Sequence, residues 1–225
     1  MKTVFTAAAL AAILAGAATA ATVPNGDFSA GNSGFTSGYT YGPNAGDLLN
    51  GPPQSGAGYY AVVNDAQFSH PYFTSFGDHT TGKGLYLVGN GATNPGVAVY
   101  SSGAIAVAAN RSYTFSAFFA NAYPASPADM DFRVSLNGGP ATSIGDFTIP
   151  NGAGTWNAAT KTFRTFGATS VVLSFVDRNV ASSGNDFGID DISLNAVPEP
   201  ATWAMMIAGF ALVGLGLRHR SLAVA

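Results

Sequence analysis

An all-β fold, an antiparallel β-sandwich of jelly-roll type, is predicted for residues 22–196 by three observations. Phe, Tyr, Val and Thr recur, while Glu, Lys, Gln and Met are scarce outside the ends, a balance that favours strands and turns over helices. Short segments alternate apolar with polar residues at period two, each bounded by Gly, Asn, Pro or Ser. No window in this region sustains a 3.6-residue period over ten residues. Short strands in series without helices build a sandwich or barrel rather than a parallel α/β sheet.

The first part of the domain is rich in Gly, Ser and Pro and reads as long loops, with short strands around Phe35–Tyr41 and Tyr59–Val63. Further strands follow at "GLYLVGNG" (84–91), "GVAVYSS" (96–102), "SYTFSAFFA" (112–120), "TKTFRTF" (160–166) and "SVVLSFVD" (170–177). In "MDFRVSLNGG", Met130, Phe132, Val134 and Leu136 alternate with Asp131, Arg133 and Ser135, giving an apolar and a wet face, and Asn137-Gly138 closes the strand with a turn pair. Phe115, Phe132, Phe163 and Phe175 are expected in the core, and solvation is expected to explain Asp129 and Asp131. No linker splits the region.

Composition narrows the chemistry. Charged residues make up 9% of the chain, and its net charge is −3. Between the ends, eleven Asp face six Lys and Arg, so the domain alone is near −5. That balance suits solubility and cation binding and offers no footprint for nucleic acid. Cysteine is absent, which excludes thiolate zinc sites, haem attachment and cysteine nucleophiles. No nucleophile elbow, phosphate loop or His-Glu-x-x-His helix occurs. His70, His79 and Asp78 leave a His/Asp pair open. Glu199 is the only Glu, so glycosidase chemistry would need two Asp residues. A non-enzyme is the expectation.

Both ends read as addresses. "MKTVFTAAALAAILAGAATA" (1–20) has a positive start, an apolar stretch and a small-x-small cleavage site at Ala18–Ala20, and is read as a signal helix removed on export. Near the other end, the uncharged segment Ala201–Leu217 is just long enough for a single transmembrane helix, and Arg218, His219 and Arg220 would hold its end in the cytoplasm. Pro198 and Pro200 keep any helix of the domain from running into that span. On hydropathy alone the segment is an ordinary membrane anchor.

The ordered set Pro198-Glu199-Pro200, Trp203, Met205-Met206, Gly209, Arg218 and Arg220 resembles the PEP-CTERM sorting signal, in its PEP-x-x-W-A form, over residues 197–220. That resemblance implies recognition and cleavage by an exosortase, a membrane protease-transpeptidase. It also implies a transient anchor in the inner membrane of a Gram-negative bacterium, a destination at the cell surface or in the extracellular matrix, and a link to exopolysaccharide.

"PNGDFSAG" at the start, "SYTFSAFFANAYPASPADMDFRVSLNG" in the middle and "DRNVASSGNDFGIDDISL" at the close resemble the galactose-binding-like jelly roll of carbohydrate-binding modules. In simple alternation, Asp190 shares a strand face with Ile192 and Leu194, while Ile189 and Asp191 share the other, so one aspartate falls on the apolar side. The resemblance implies a structural Ca²⁺ there, joining first strand to last through Asp190, Asp191, Asn25 and Asp27, with backbone carbonyls near them contributing. Ser29 departs from the Glu that relatives often carry. Capping of backbone amides by Asp190 is the alternative. Aromatic rings are the usual platforms for sugars; Tyr39, Tyr41, Tyr59, Tyr60, Tyr72, Tyr123 and Trp156 are the candidates, with Tyr59, Tyr60, Trp156 and Tyr39 foremost. The expected function is that of an exported, non-catalytic matrix protein. A module with a defined glycan is the first alternative, and a matrix polysaccharide hydrolase the second.

Overall fold

The computed structural model describes residues 21–51, 56–198 and 207–211. Ala20–Val197 form one compact unit. The signal segment (1–20) lies outside the described residues, as does most of the 201–217 span, of which 207–211 are helical. No helix among the described residues is long and apolar enough to cross a membrane.

Strands form where the apolar–polar alternation sits: β1 (Phe35–Thr36), β2 (Thr40–Tyr41), β3 (Tyr59–Val63), β4 (Tyr86–Asn90), β5 (Ala98–Ser102), β6 (Ile105–Ala106), β7 (Ser112–Asn121), β8 (Asp129–Leu136), β9 (Thr142–Thr148), β10 (Asn157–Arg164), β11 (Ser170–Asp177) and β12 (Phe187–Ala196). Two single-turn helices, α1 (Asp47–Asn50) and α2 (Ala66–Ser69), interrupt the early loops. Asp65 caps α2 by accepting the Gln67 N–H. One sheet runs β10-β7-β12-β4-β3-β2; the other runs β1-β5-β11-β8-β9, with β6 also on β11. All pairings are antiparallel except β2 with β3. The single strand expected over 35–41 is two, one in each sheet, because the chain crosses between the layers at Ser37–Tyr39.

The layers close on an aromatic centre. Phe175 of β11 stacks on Phe115 at 4.8 Å and meets Phe132 and Phe119 edge-on at 4.9 and 5.1 Å. Such pairs contribute roughly 0.5–1.5 kcal/mol each beyond area burial. Phe115, Phe132, Phe163 and Phe175 all lie in this core. Asp131 does not fit the expected wet face: it is 3% exposed, held by Arg133 Nε at 2.7 Å and by the Ser143 hydroxyl at 2.5 Å. Ser143 comes from β9, the edge strand beside β8 whose register shifts here, so pairing rather than solvation stabilises the charge.

The other sheet carries a third layer on its outer face. Leu48, Ala66 and Phe73 pack there on Ala61, Val63, Tyr86, Val88 and Ala122, with Phe76 and Trp156 alongside. Gly188 of β12 makes this possible, since a Cβ there would stand 3.0 Å from the Trp156 ring and 3.2 Å from Phe76.

β12 is bulged. Asp190 pairs with Phe118 and Ser193 with Ser116, so three steps along β12 match two along β7. Asp191 takes the left-handed conformation there, φ 47°, which Asp tolerates better than most residues. The bulge corrects the alternation read from sequence. Ile189 faces the inner core before it, Ile192 and Leu194 face the core after it, and Asp190 points the other way, under the outer layer. The opening segment clasps β12 here, through Ile192 N–H to Gly26 O at 2.8 Å and Ala21 N–H to Leu194 O at 3.2 Å. A Cβ on Gly26 would lie 2.3 Å from the Ile192 carbonyl oxygen. Gly26→Ala is therefore expected to cost about 1–3 kcal/mol in denaturant unfolding; an unchanged midpoint would contradict the clasp.

Candidate functional site

Two groups of polar side chains converge on β12. Near its middle, Asp190 is 1% exposed and accepts the His79 N–H and the Asp191 N–H, both at 2.8 Å. Asp191 pairs with the His79 ring at 2.6 Å and accepts the Thr80 hydroxyl at 2.6 Å. His79 lies flat on Phe118, ring centres 3.5 Å apart. Asp78 ties the same loop together: burial raises its carboxyl, but the N–H groups of Thr81, Gly84 and Lys83 and the Thr81 hydroxyl outweigh that and hold it below the usual range. The His/Asp pair is thus His79 with Asp191, not with Asp78, and it latches the 78–84 loop to the sheet.

This geometry bears on the four residues expected to hold calcium. Asn25, Asp27 and Asp191 line one open groove between the opening segment and β12, while Asp190 is turned to the other face with both oxygens engaged. Asn25 bonds its own loop, to Gly31 O, Ser33 O and Ala30 N–H, and Asp27 holds Ser29. Among the described residues no group of three or more His, Asp or Glu side chains is arranged to hold a metal ion. The four side chains thus lie on two faces of β12, and Asp190 caps backbone amides on its own face.

The second group surrounds a cavity of about 240 Å³ at the end of the same sheet. Its walls come from α1 (Leu49), the residues after α2 (His70, Tyr72, Phe73), the β7–β8 connection (Tyr123) and the β11–β12 connection (Ser182–Gly184), with Asn90 and Asp186 completing it. His70 stacks on Phe73 at 4.3 Å and 9°. Its Nδ1 accepts the Tyr72 N–H at 3.3 Å, and burial holds its pKa below the ordinary value, so the imidazole is neutral at pH 7. Tyr72 is 70% exposed at the rim.

Asp186 is 6% exposed and the only acid lining the cavity among the described residues. Burial pushes its carboxyl up to about 7, with repulsion from Asp177 adding to this and N–H groups of Gly91 and Gly184 opposing it. Asp177, at the end of β11, is likewise raised to about 7 by burial, opposed by the two N–H groups that its Oδ1 accepts and by the Asn185 side chain. No Lys or Arg pairs with either among the described residues.

The aromatic residues placed foremost from sequence lie elsewhere. Tyr39 and Tyr60 are each 6% exposed, and their hydroxyls bond Ala92 N–H and Asn32, so neither offers an open ring face. Trp156 packs beneath Phe76 and Tyr86 and donates its Nε1–H to Gly77 O, and Tyr59 is half-buried in the outer layer. Of the wider set, Tyr72 and Tyr123 reach the cavity. Asp186 went unnoticed; its only signal is an Asp in a Gly/Ser-rich turn directly before an apolar strand. Pro198 is exposed, and Glu199, Pro200, Trp203, Arg218 and Arg220 lie outside the described residues.

The fold is shared widely. The N-terminal CBM22-1–CBM22-2 tandem domain of Paenibacillus barcinonensis Xyn10C is similar at 14% identity and TM-score 0.50, covering 83% of this chain and 48% of that one. A Stig cyclase, Fisc, from Fischerella sp. TAU is similar at 10% identity and TM-score 0.53, covering 80% and 98%. The enzymatically active domain of tailspike protein 4 of bacteriophage CBA120 matches at 16% identity and TM-score 0.49, covering 79% of this chain and 21% of that one. The first two likenesses, at identities this low, show a shared β-sandwich fold and leave the activity to the site. No curated protein matches the sequence. The PEP-CTERM protein-sorting motif matches residues 196–221. The chain is thus a β-sandwich protein with a carbohydrate-binding-module-like fold, and it carries the sorting motif of an exported, envelope-directed precursor.

Three carboxyls, Asp177, Asp186 and Asp190, are raised to about 7 in the folded chain, each by burial first. Unfolded, they would titrate near 3.9. The folded state therefore binds more protons between about pH 4 and 7, and the stability these groups contribute at acid pH is lost as pH rises through that window. His70, lowered by burial, acts in the opposite sense below pH 6.5. Three groups outweigh one, so Tm is expected to fall as pH is raised from about 5 to about 8; a rise would contradict the burial of these acids. With Asp190 turned away from Asn25, Asp27 and Asp191, EDTA is expected to leave Tm unchanged, and a fall of several degrees would reveal a bound divalent ion.

Proposed function

We propose that the chain is exported, cut near Pro198–Pro200 by an exosortase-type membrane protease, and released to the surface or extracellular matrix of a Gram-negative bacterium, where its β-sandwich binds exopolysaccharide without catalysis. The sorting motif supports the route. The observation that carries the binding step is the cavity at the end of β12: the exposed ring of Tyr72 and the ring of Tyr123 beside one buried carboxyl and the serines 182 and 183. Apolar ring faces accept the C–H faces of a pyranose, and a few fixed polar groups orient its hydroxyls. A glycosidase needs two carboxyls flanking the scissile bond, and Asp186 is the one acid lining the cavity among the described residues, which favours binding over hydrolysis.

Retention of the full chain on a glycan array tests the reading. Tyr72→Ala is expected to weaken retention about tenfold or more at unchanged Tm, since that ring is already in water. Full retention by Tyr72→Ala would place the site elsewhere, and no retention on any glycan would end the reading. For the route, replacing Pro198 and Pro200 by Ala is expected to leave the chain at precursor mass in the membrane fraction; normal processing would contradict the role given to the motif.

A further inference from the structure

The cavity has a property beyond shape: its one acidic wall among the described residues has no Lys or Arg paired with it. Removing a carboxylate from water is costly unless opposite charge or hydrogen bonds replace the solvent. At Asp190, N–H groups reach both oxygens. At Asp186, Gly91 and Gly184 donate N–H groups, but Asp177 stands close enough for its charge to repel. The cavity that Asp186 lines also has aromatic walls, Tyr72, Phe73 and Tyr123, with a neutral His70. Ring faces attract cations, and no lysine or arginine is among the described lining residues. An anionic sugar would meet Asp186 with no counter-charge, in a domain already near −5. A wholly neutral sugar would leave the carboxyl without a counter-charge. The cavity is smaller than the roughly 300–1,000 Å³ that takes a drug-sized ligand, which suits one ring.

We propose that this cavity binds a protonated amine carried on a sugar ring, so that the saccharide recognised contains hexosamine units with free amino groups. The inference rests on the saccharide reading above and names its ligand class. Asp186 pairs with the ammonium, Tyr72 and Tyr123 cover the ring, and Ser182 and Ser183 stand at the edge for its hydroxyls.

Titration calorimetry on the full chain near pH 7 tests it with four probes: a glucosamine hexamer, an N-acetylglucosamine hexamer, cellohexaose and a lysine hexapeptide. The glucosamine hexamer is expected to bind at least tenfold tighter than the other three. Asp186→Asn is expected to remove that preference while Tm holds or rises, and Tyr72→Ala to weaken the glucosamine hexamer alone. Equal or tighter binding of cellohexaose or the acetylated hexamer would overturn the inference and leave saccharide binding standing. Equal binding of the lysine peptide would overturn the sugar as the source of the amine. A preference that survives Asp186→Asn overturns the role of Asp186. No binding to any saccharide overturns both the inference and the reading beneath it.

Discussion

The structure depends on how one central strand buries its acids. β12 lies between β7 and β4, and Asp186, Asp190 and Asp191 fall on or beside it with no Lys or Arg partner among the described residues. A bulge at Asp191 resolves part of the conflict by turning Asp190 away from the phenylalanine core while keeping Ile192 and Leu194 in it. Backbone N–H groups then stand in for water at Asp190, and the loop that supplies them is drawn onto the sheet. Trp156, Phe76 and His79 follow that loop and form a layer that covers the outer face. The clasp from Gly26 fits against the same bulge.

At its start, β12 leaves the conflict unresolved. Asp186 has the charge of Asp177 near enough to repel its own, and the connections from β7 and β11 line the cavity beside it with rings and serines rather than with a basic side chain. A sandwich of this kind serves proteins of quite different activity, so the unbalanced acid and its aromatic walls, not the fold, carry the functional argument. Delivery is a separate matter written in the tail, in the sorting motif at residues 196–221.

Much of the fold was legible because alternation is a local signal. β7, β8 and β11 lie where their apolar residues recur at every second position, and the four phenylalanines expected inside are inside. β9 was missed because "TSIGDFT" is an edge strand whose residues are mostly part-exposed, so it carries little apolar contrast. The bulge was missed because period two assumes an unbroken ladder, and one left-handed Asp inverts the faces that follow it. Aromatic platforms were misjudged for a related reason. Tyr39 and Tyr60 have the composition of a sugar site, but exposure is decided by which loops cover them. The cavity joins residues 49, 70–73, 123 and 182–186, whose proximity no local pattern records. The tail was readable as an ordered motif, since its meaning lies in sequence rather than in packing.

The most direct measurement is a carboxyl-carbon NMR titration of the aspartates in the folded chain, with and without the glucosamine hexamer. The expected result is that Asp186 titrates near 7 in the free protein and well below that when the amine is bound, because a cation beside it favours the charged form. An Asp186 that titrates near 4 in the free protein, or does not respond to the amine, would contradict the claim that this buried acid awaits a positive ligand.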